Sequence, residues 1–287
     1  MDSVASQNIP SGWTIEHIIT DDGSTDATVE VIRKQASPHV RLKILPENRG
    51  TNAARNAAVA LASGEWVVIL DSDDEMLPGA VQAICNAIDL HPDFEHFVFD
   101  TDDTAYMRTD MADEEIFTYT DFLLERVCGD FVHVLRRQTM IDIPFDEKLR
   151  IHEGIFILQF NRKAKKELYT SKVIYHRDRE RNDHVTFELD MTTNRALLTK
   201  LEANRLWVKL FAEDYKQSPE GRHILLSKML NIYKFAVLSG DYATADTVAS
   251  QIYPPLPYSM VRRMHMGPAA WFLIKNIVKL KHRYERR

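Results

Sequence analysis

Residues 66–75, WVVILDSDDE, place four acidic side chains directly after five apolar residues. An apolar run of this kind is typical of a strand that is buried on both faces of a parallel sheet. Acidic groups this close together raise one another's pKa values or require a counter-charge. The stretch therefore predicts a buried strand whose end holds a positively charged partner.

The composition of the whole chain indicates an ordinary globular protein. It has 287 residues, 45% of them hydrophobic, and a formal net charge of −6. This charge argues against nucleic acid as the main partner, because phosphate binding needs an extended basic face. No apolar run approaches the roughly 20 residues that span a bilayer, and the first residues do not have the pattern of a signal peptide.

Strand-like and helix-like stretches alternate from Trp13 to about Asp100. Three strands each followed by a helix indicate an α/β domain with a mostly parallel sheet flanked by helices. A mixed region follows, and after Thr186 the pattern is almost wholly helical. We therefore expect an α/β domain over residues 1–185 and a helical C-terminal region over residues 186–287.

Two acidic clusters follow the ends of predicted strands: TDDGSTD at 20–26 and DSDDE at 71–75. In open α/β sheets, ligands bind beyond the carboxyl ends of the strands. The Asp-x-Asp (DxD) spacing can present carboxylates to Mg²⁺ or Mn²⁺, which then binds substrate phosphates. The spacing alone is not specific, because FVFDTDD at 97–103 has the same form.

The segments HIITDDGSTDATVEVI (17–32) and ENRGTNAARNAAVALASGEWVVILDSDD (47–74) together resemble the nucleotide-sugar domain of the family 2 glycosyltransferases. The motifs DDGSTD, N-x-G-x-x-x-A-R-N and G-x-W-x-x-x-L-D-S-D-D are specific in combination and in this order. The resemblance implies a GT-A fold and the inverting, metal-dependent transfer of a sugar from a nucleoside-diphosphate sugar to a glycan or lipid-linked acceptor. A nucleotidyltransferase is disfavoured, because no Gly-rich phosphate loop with Lys or Arg lies near the N terminus.

The resemblance also implies roles for individual residues. Asp22 matches the acid that contacts the nucleotide base, Asp71 the acid near the ribose, and Asp73 the ligand of Mg²⁺ or Mn²⁺. Three further residues match the segment that lines the nucleotide pocket: Asn48, Gly50 and Arg55. For Arg55, a salt bridge on the helix surface is an equally weighted alternative.

The general base is implied by the stretch FDE-x-L at 145–149. In the family, the base is usually the Asp of a Glu-Asp pair that follows this stretch, but here the pair reads Glu153-Gly154. Glu153 is the favoured candidate, His152 is a second, and a catalytically impaired chain is the third interpretation. The alternative role for Glu153 is that of an acid at a helix N terminus, where it interacts with the helix dipole.

The stretch VIYHRDRERNDH at 173–184 resembles the strand and basic loop that follow the catalytic segment in the family. His176, Arg177 and Arg179 are candidates for contact with the diphosphate, and we assign His176 with Asp73 to the metal. The commoner explanation of such a charged run is a solvated loop.

Family members begin with an apolar strand and a Pro-x-Tyr-Asn-like segment. Here DSVASQNIPSGW (2–13) matches the end of the helix that follows them, so the first strand is missing. By resemblance that strand lies inside the sheet, and its loss leaves backbone groups unpaired. A truncated chain, a mis-set start codon, or a degenerate relative that acts as a binding or scaffold component would each explain this departure.

The C-terminal end of the chain is basic. Residues 260–287 contain eight Lys or Arg and one acid. Over 268–287 the apolar side chains follow one helical side, which is typical of an interfacial helix attracted to anionic lipid. A terminal helix packed on the protein, with a solvated basic end, is an equal alternative. We therefore expect a cytoplasmic protein that contacts the inner face of the membrane through residues 268–287.

Overall fold

The computed structural model describes residues 1–35, 37, 39–103, 112–127, 129–149, 152–178 and 193–285, with side chains as far as residue 276. The chain divides into two compact units, residues 1–180 and 181–287. The first is an α/β unit and the second is helical. The functional roles that we assign to the two regions stay predictions.

The N-terminal unit alternates strands and helices through its first half, as the sequence predicts. Its strands are β1 (His17–Asp21), β2 (Val40–Ile44), β3 (Trp66–Val68), β4 (Asp74–Met76), β5 (His96–Thr101), β6 (Glu114–Thr118), β7 (Val132–Arg136) and β8 (Lys166–Arg177). Its helices are α1 (Asp2–Ala5), α2 (Thr28–Gln35), α3 (Thr51–Leu61), α4 (Ala80–Leu90), α5 (Tyr119–Leu123), α6 (Arg137–Asp142) and α7 (Glu153–Ala164).

The strands form two separate sheets. β1 and β2 make a parallel two-stranded sheet, with His17 opposite Val40. The larger sheet has the order β3-β7-β5-β8-β4, and β6 also pairs with β8. Only β5 and β8 are parallel neighbours in this sheet, and the other described pairs are antiparallel.

The expectation of a mostly parallel sheet is therefore wrong for strand pairing, although the α/β class is confirmed. β3, β5 and β8 do run in one direction, because each of β3 and β5 is antiparallel to β7. The late strand β7 inserts between β3 and β5. A repeat of strand and helix predicts the direction of consecutive strands, but it does not predict that a distant segment will insert between them.

The expectation that β3 is buried on both faces is also wrong. Trp66, Val67 and Val68 are each half-buried. Among the described residues, β3 pairs only with β7 and β1 pairs only with β2. Each of these two strands therefore has one edge with no described strand beside it, and β3 is not enclosed as an interior strand is.

The starts of β1 and β3 are joined by one side chain. Glu16 Oε1 accepts hydrogen bonds from the backbone N–H groups of Ser63 (2.6 Å) and Gly64 (2.7 Å), and its Oε2 accepts one from Arg41 (3.1 Å). Burial raises the pKa of Glu16, but these hydrogen bonds outweigh that effect and lower the pKa below its ordinary 4.5. The carboxylate form of Glu16 thus links the small sheet to the start of β3.

We expect Glu16→Gln to lower the free energy of unfolding at neutral pH by about 1–2 kcal/mol, because it removes hydrogen bonds to a charged acceptor. The stabilisation by Glu16 is fully present above pH 4.5 and is lost as the pH falls through the lower pKa of the folded state. Urea denaturation should therefore show that the difference in the free energy of unfolding between the wild type and Glu16→Gln becomes smaller in acid. A difference that stays constant with pH would contradict this role.

The C-terminal unit consists of helices. They are α8 (Asn194–Tyr215), α9 (Pro219–Ser239), α10 (Tyr242–Ala249), α11 (Leu256–Arg263) and α12 (Gly267–Glu285). The helices α9 and α10 follow one another closely, and Gly240 ends α9 with φ +84°. A buried cluster that includes Leu201, Ile232 and Trp271 forms its core. None of the described helices is both long enough and apolar enough to cross a bilayer.

Candidate active site

The first acidic cluster binds the loop that precedes α3. Asp22 Oδ1 accepts a hydrogen bond from the backbone N–H of Arg49, and Oδ2 accepts one from that of Gly50, each at 2.8 Å. Gly23 lies so close to this loop that a Cβ atom there would be 2.6 Å from the carbonyl carbon of Glu47. The two motifs DDGSTD and N-x-G-x-x-x-A-R-N thus form one structure.

The loop itself needs a glycine where it enters α3. Gly50 is the N-cap residue of this helix and has φ +95°, a conformation that side chains disfavour. Asn48, two residues earlier, is exposed. Both oxygens of Asp22 already accept backbone hydrogen bonds, so the carboxylate holds the predicted pocket loop in place. Its contact with a nucleotide base, and those of Asn48 and Gly50, stay predictions.

Arg55 on α3 joins two predicted site residues that are distant in the sequence. Its Nη2 donates to Asp71 Oδ1 at 2.9 Å, and its Nη1 donates to Glu153 Oε1. The Arg55 side chain is 16% exposed, whereas the two carboxylates are about 40% exposed. Although burial opposes it, the two carboxylates raise the pKa of Arg55. The acid predicted near the ribose and the candidate base therefore share one guanidinium.

A second arginine, Arg177 at the end of β8, lies within the acidic cluster after β3. It pairs with Asp74, with Asp130 (3.0 Å) and more distantly with Asp71 (3.8 Å). Burial raises the pKa of Asp74 to about 6; Arg177 opposes this rise, and Asp71 and Asp73 add to it. Two arginines therefore supply counter-charge to the cluster, whereas the sequence pointed to a divalent cation alone.

Asp73 differs from its neighbours in the cluster. Arg55 and Arg177 pair with Asp71 and Asp74, but within the described part of the chain Asp73 forms no ion pair. Its oxygens are hard ligands of the kind that Mg²⁺ and Mn²⁺ prefer. The described residues contain no group of three His, Cys, Asp or Glu side chains arranged around a metal. A cation at Asp73 would therefore need substrate phosphates and water among its ligands.

His176 is held by an acid from the other DxD-like stretch. Its Nδ1 hydrogen-bonds Asp102 Oδ2, and the backbone N–H of Arg177 donates to Asp102 Oδ1 (3.0 Å). The hydrogen bond to the Asp102 carboxylate raises the pKa of His176. The stretch 97–103 showed only that the DxD spacing is not specific, and its contact with His176 was not predicted. Arg179, the other loop candidate, lies outside the described residues.

The polar face of α3 also binds the segment that leads to Glu153. Asn56 Nδ2 donates to the carbonyl of Phe145 (2.9 Å), and Asn52 Nδ2 donates to the carbonyls of Asp146 (2.9 Å) and Leu149. Sequence reasoning gave no separate role to these asparagines. Asn52 is three positions from Arg55 and four from Asn56, and this spacing is the signal that was available, because residues three or four positions apart share one helix face.

Glu153 is the first residue of α7, and His152 is the N-cap residue. This position agrees with the alternative role of an acid at a helix N terminus. The ion pair with Arg55 gives Glu153 a second link, which leads to Asp71. The structure therefore brings together Glu153, Arg55 and Asp71, and a dipole effect alone does not account for that arrangement.

Comparison with known families adds to this geometry. The family described as Glycosyl transferase family 2 matches residues 1–140. Residues 1–140 belong to the family 2 glycosyltransferases. This matched range of the glycosyltransferase family contains Asp22, Arg55 and Asp73.

Relatives of the glycosyltransferase domain occur in bacteria. Succinoglycan biosynthesis protein ExoO of Rhizobium meliloti is 37% identical over 87 residues, which are 30% of this chain and 25% of that protein. The GalNAc(5)-diNAcBac-PP-undecaprenol beta-1,3-glucosyltransferase of Campylobacter jejuni is 26% identical over 201 residues, 67% of this chain and 64% of that protein. The chain thus spans from a quarter to less than two thirds of these relatives.

Solved structures show the same fold. Residues 1–349 of S. aureus TarS in complex with UDP-GlcNAc match 99% of this chain and 86% of that chain, with a TM-score of 0.61 and 17% identity. The mannosyltransferase PcManGT from Pyrobaculum calidifontis, in complex with GDP-Man and Mn²⁺, matches 97% of this chain and 78% of that chain, with a TM-score of 0.52 and 15% identity. The glycosyltransferase domain therefore has the GT-A fold.

Proposed function

We propose that the chain is an inverting glycosyltransferase that moves a sugar from a nucleoside-diphosphate sugar to a hydroxyl of a glycan or lipid-linked acceptor. The observation that carries the proposal is the link that Arg55 forms between Asp71 and Glu153. A donor bound at Asp71 would have its sugar near a carboxylate that can accept the acceptor's proton. A transferase needs these two functions side by side.

Glu153 is the proposed general base. It would take the proton of the acceptor hydroxyl while the acceptor oxygen forms its bond to the anomeric carbon. The bond from that carbon to the phosphate oxygen breaks, and the nucleoside diphosphate leaves with the bonding pair. Attack on the face opposite the leaving group inverts the anomeric configuration. Arg55 would hold the Glu153 carboxylate in position for this proton transfer.

Asp73 and His176 would hold Mg²⁺ or Mn²⁺, which when bound would supply positive charge for the leaving diphosphate. Asp73 suits this role because the arginines of the cluster leave it unpaired among the described residues. Asp102 bonds Nδ1 of His176, which leaves Nε2 to face a ligand. Such an outer carboxylate is the usual partner of a metal-binding histidine.

The names of two relatives indicate the class of acceptor. One relative is named as a glucosyltransferase of a PP-undecaprenol-linked glycan and another as a succinoglycan biosynthesis protein. By analogy, we propose an acceptor for bacterial surface polysaccharide or glycolipid synthesis on the cytoplasmic side. The basic residues within 268–287 would bring the chain to an anionic membrane that carries such an acceptor.

A second candidate function is that of a non-catalytic relative within a glycan assembly complex. Two observations favour it: Gly154 stands at the usual base position, and β1 and β3 lie in separate sheets. The two candidates differ in turnover. Release of nucleoside diphosphate that requires an acceptor would support the enzyme, and donor binding without turnover would support the relative.

The first test is the binding of UDP, GDP and other nucleoside diphosphates to this chain, with and without Mn²⁺, by isothermal titration calorimetry. We expect Mn²⁺ to tighten binding of one nucleotide, and Asp73→Asn to abolish that gain. Asp93→Asn is the matched control, because Asp93 is an exposed acid that pairs with Lys166. Nucleotide binding that changes neither with Mn²⁺ nor in Asp73→Asn would reject the metal assignment. A folded chain that binds no nucleotide would reject the enzyme proposal.

A further inference from the structure

The C-terminal unit exposes a concentration of apolar side chains between residues 253 and 273. We call this set the apolar ridge: Tyr253, Leu256, Met260, Met264, Met266, Phe272 and Leu273. Tyr253 is 98% exposed, and each of the others has about half or more of its surface in water. Soluble proteins rarely leave so many large apolar side chains exposed in one short segment unless a partner covers them.

The ridge is a fixed feature of the helices that carry it. Leu256, Met260 and Met264 are spaced four residues apart, so they follow one face of α11 and its last turn. Other side chains of the same helix, Tyr258 and Val261, pack against the buried core of the unit. The exposed apolar face of α11 is therefore the face that does not pack against the core.

The turn between α11 and α12 is closely packed, which gives the ridge its shape. A Cβ atom at Gly267 would lie 1.7 Å from the carbonyl oxygen of Val237, so the turn lies directly on α9. On α12, Trp271 is buried and donates from Nε1 to Asn194 Oδ1 at 2.7 Å. Because Trp271 points inward, the next two residues, Phe272 and Leu273, stay exposed.

The charge around the ridge indicates what covers it. From Thr247 to Tyr284 the sequence contains no Asp or Glu, and it contains six Lys or Arg. Arg262 forms an ion pair with Asp246 on α10, whereas Arg263, next to Met264 in the sequence, is exposed. A segment that carries exposed apolar side chains and basic residues, and no acids of its own, complements a surface that has an apolar layer beneath anionic groups. An anionic lipid bilayer has both features.

We propose that the apolar ridge inserts into the headgroup region of an anionic bilayer. This inference extends the membrane contact proposed above for residues 268–287, but it places the insertion on α11 and the start of α12. The basic residues that follow would add attraction at longer range. Methionine, tyrosine and phenylalanine suit such a layer, because flexible and aromatic side chains adapt to a disordered lipid boundary.

The test is co-sedimentation of the whole chain with phosphatidylcholine vesicles, with and without phosphatidylglycerol. We expect the wild type to pellet with the anionic vesicles. The variant Leu256→Ser/Phe272→Ser/Leu273→Ser should lower the partition coefficient by tenfold or more. The matched control is Leu198→Ser/Leu226→Ser, which alters two exposed leucines of the same unit outside the ridge and should not change pelleting. Circular dichroism of each variant checks its fold.

A tail variant, Lys279→Gln/Lys281→Gln/Arg283→Gln, separates this inference from the contact of the basic end. If the tail variant abolishes pelleting and the ridge variant retains it, the ridge proposal is overturned while the membrane contact stands. If the wild type pellets with neither kind of vesicle, and the ridge variant changes the oligomeric state in solution, the ridge is a protein interface and the proposal is overturned. No arm of the test depends on sugar transfer.

Discussion

Replacement of Glu153 by glutamine is expected to lower kcat for sugar transfer by about 10²- to 10⁴-fold, the usual contribution of a positioned general base. Glutamine keeps the size of the side chain and can still accept a hydrogen bond from Arg55, but it cannot take a proton. Binding of the nucleoside diphosphate should change little, because Asp71 keeps its own bond to Arg55. Initial rates with saturating donor, beside calorimetric binding, provide the measurement.

Two further variants make this prediction specific. His152→Gln should retain most of the rate, because Glu153 and not the N-cap histidine is the proposed base. Glu147→Gln is the matched control, since Glu147 is a nearby acid that pairs with Arg49 at the surface. Loss of turnover in His152→Gln with retention in Glu153→Gln would transfer the role to the histidine. Full turnover in both His152→Gln and Glu153→Gln would show that neither residue is the general base.

Replacement of Arg55 by lysine is the second large effect. We expect kcat to fall by about ten- to hundredfold, which corresponds to the roughly 1.5–3 kcal/mol of one lost hydrogen bond to a charged group. Lysine keeps the charge, but its compact ammonium cannot hold two carboxylates as a planar guanidinium does. Arg49→Lys is the control in the same motif, and this exposed pair should change the rate by less than about fivefold.

A double-mutant cycle tests whether Arg55 acts through Glu153. In the Glu153→Gln background, the further change Arg55→Lys should cost much less than it does in the wild type, because residues in direct contact are coupled. Additive losses would show that Arg55 contributes by another route, such as Asp71 and the nucleotide. Turnover of Arg55→Lys at the wild-type level would reject the bridge as a functional element.

Much of the site follows from local sequence signals. The two acidic clusters lie after β1 and β3, as the strand pattern predicts, and the family match covers the segments that carry the three motifs. Only the family resemblance placed Asp22 and Gly50 in the same pocket. In the structure, the backbone N–H of Gly50 donates a hydrogen bond to Asp22. The prediction of a counter-charge near Asp71 is confirmed, although the described cations are arginines.

Contacts between distant segments were not predictable in the same way. Asp102 and His176 are 74 positions apart, and no local pattern marks Asp102 as different from other acids after an apolar strand. Arg177 was one of three candidates for contact with the diphosphate, and its ion pairs with Asp74 and Asp130 were not predicted. Each of these contacts depends on the pairing of β8 with β4 and β5, which is a property of the folded sheet.

The sequence by itself determined the α/β class, the helical C-terminal region and the acids at the strand ends. Helical periodicity, strand composition and turn residues are properties of neighbouring positions, so they can be read along the chain. Only the tertiary structure decided that β7 separates β3 from β5, that Arg55 joins Asp71 to Glu153, and that the apolar ridge stays exposed. These features result from the packing of segments far apart in the sequence, where the free energy depends on which surfaces meet.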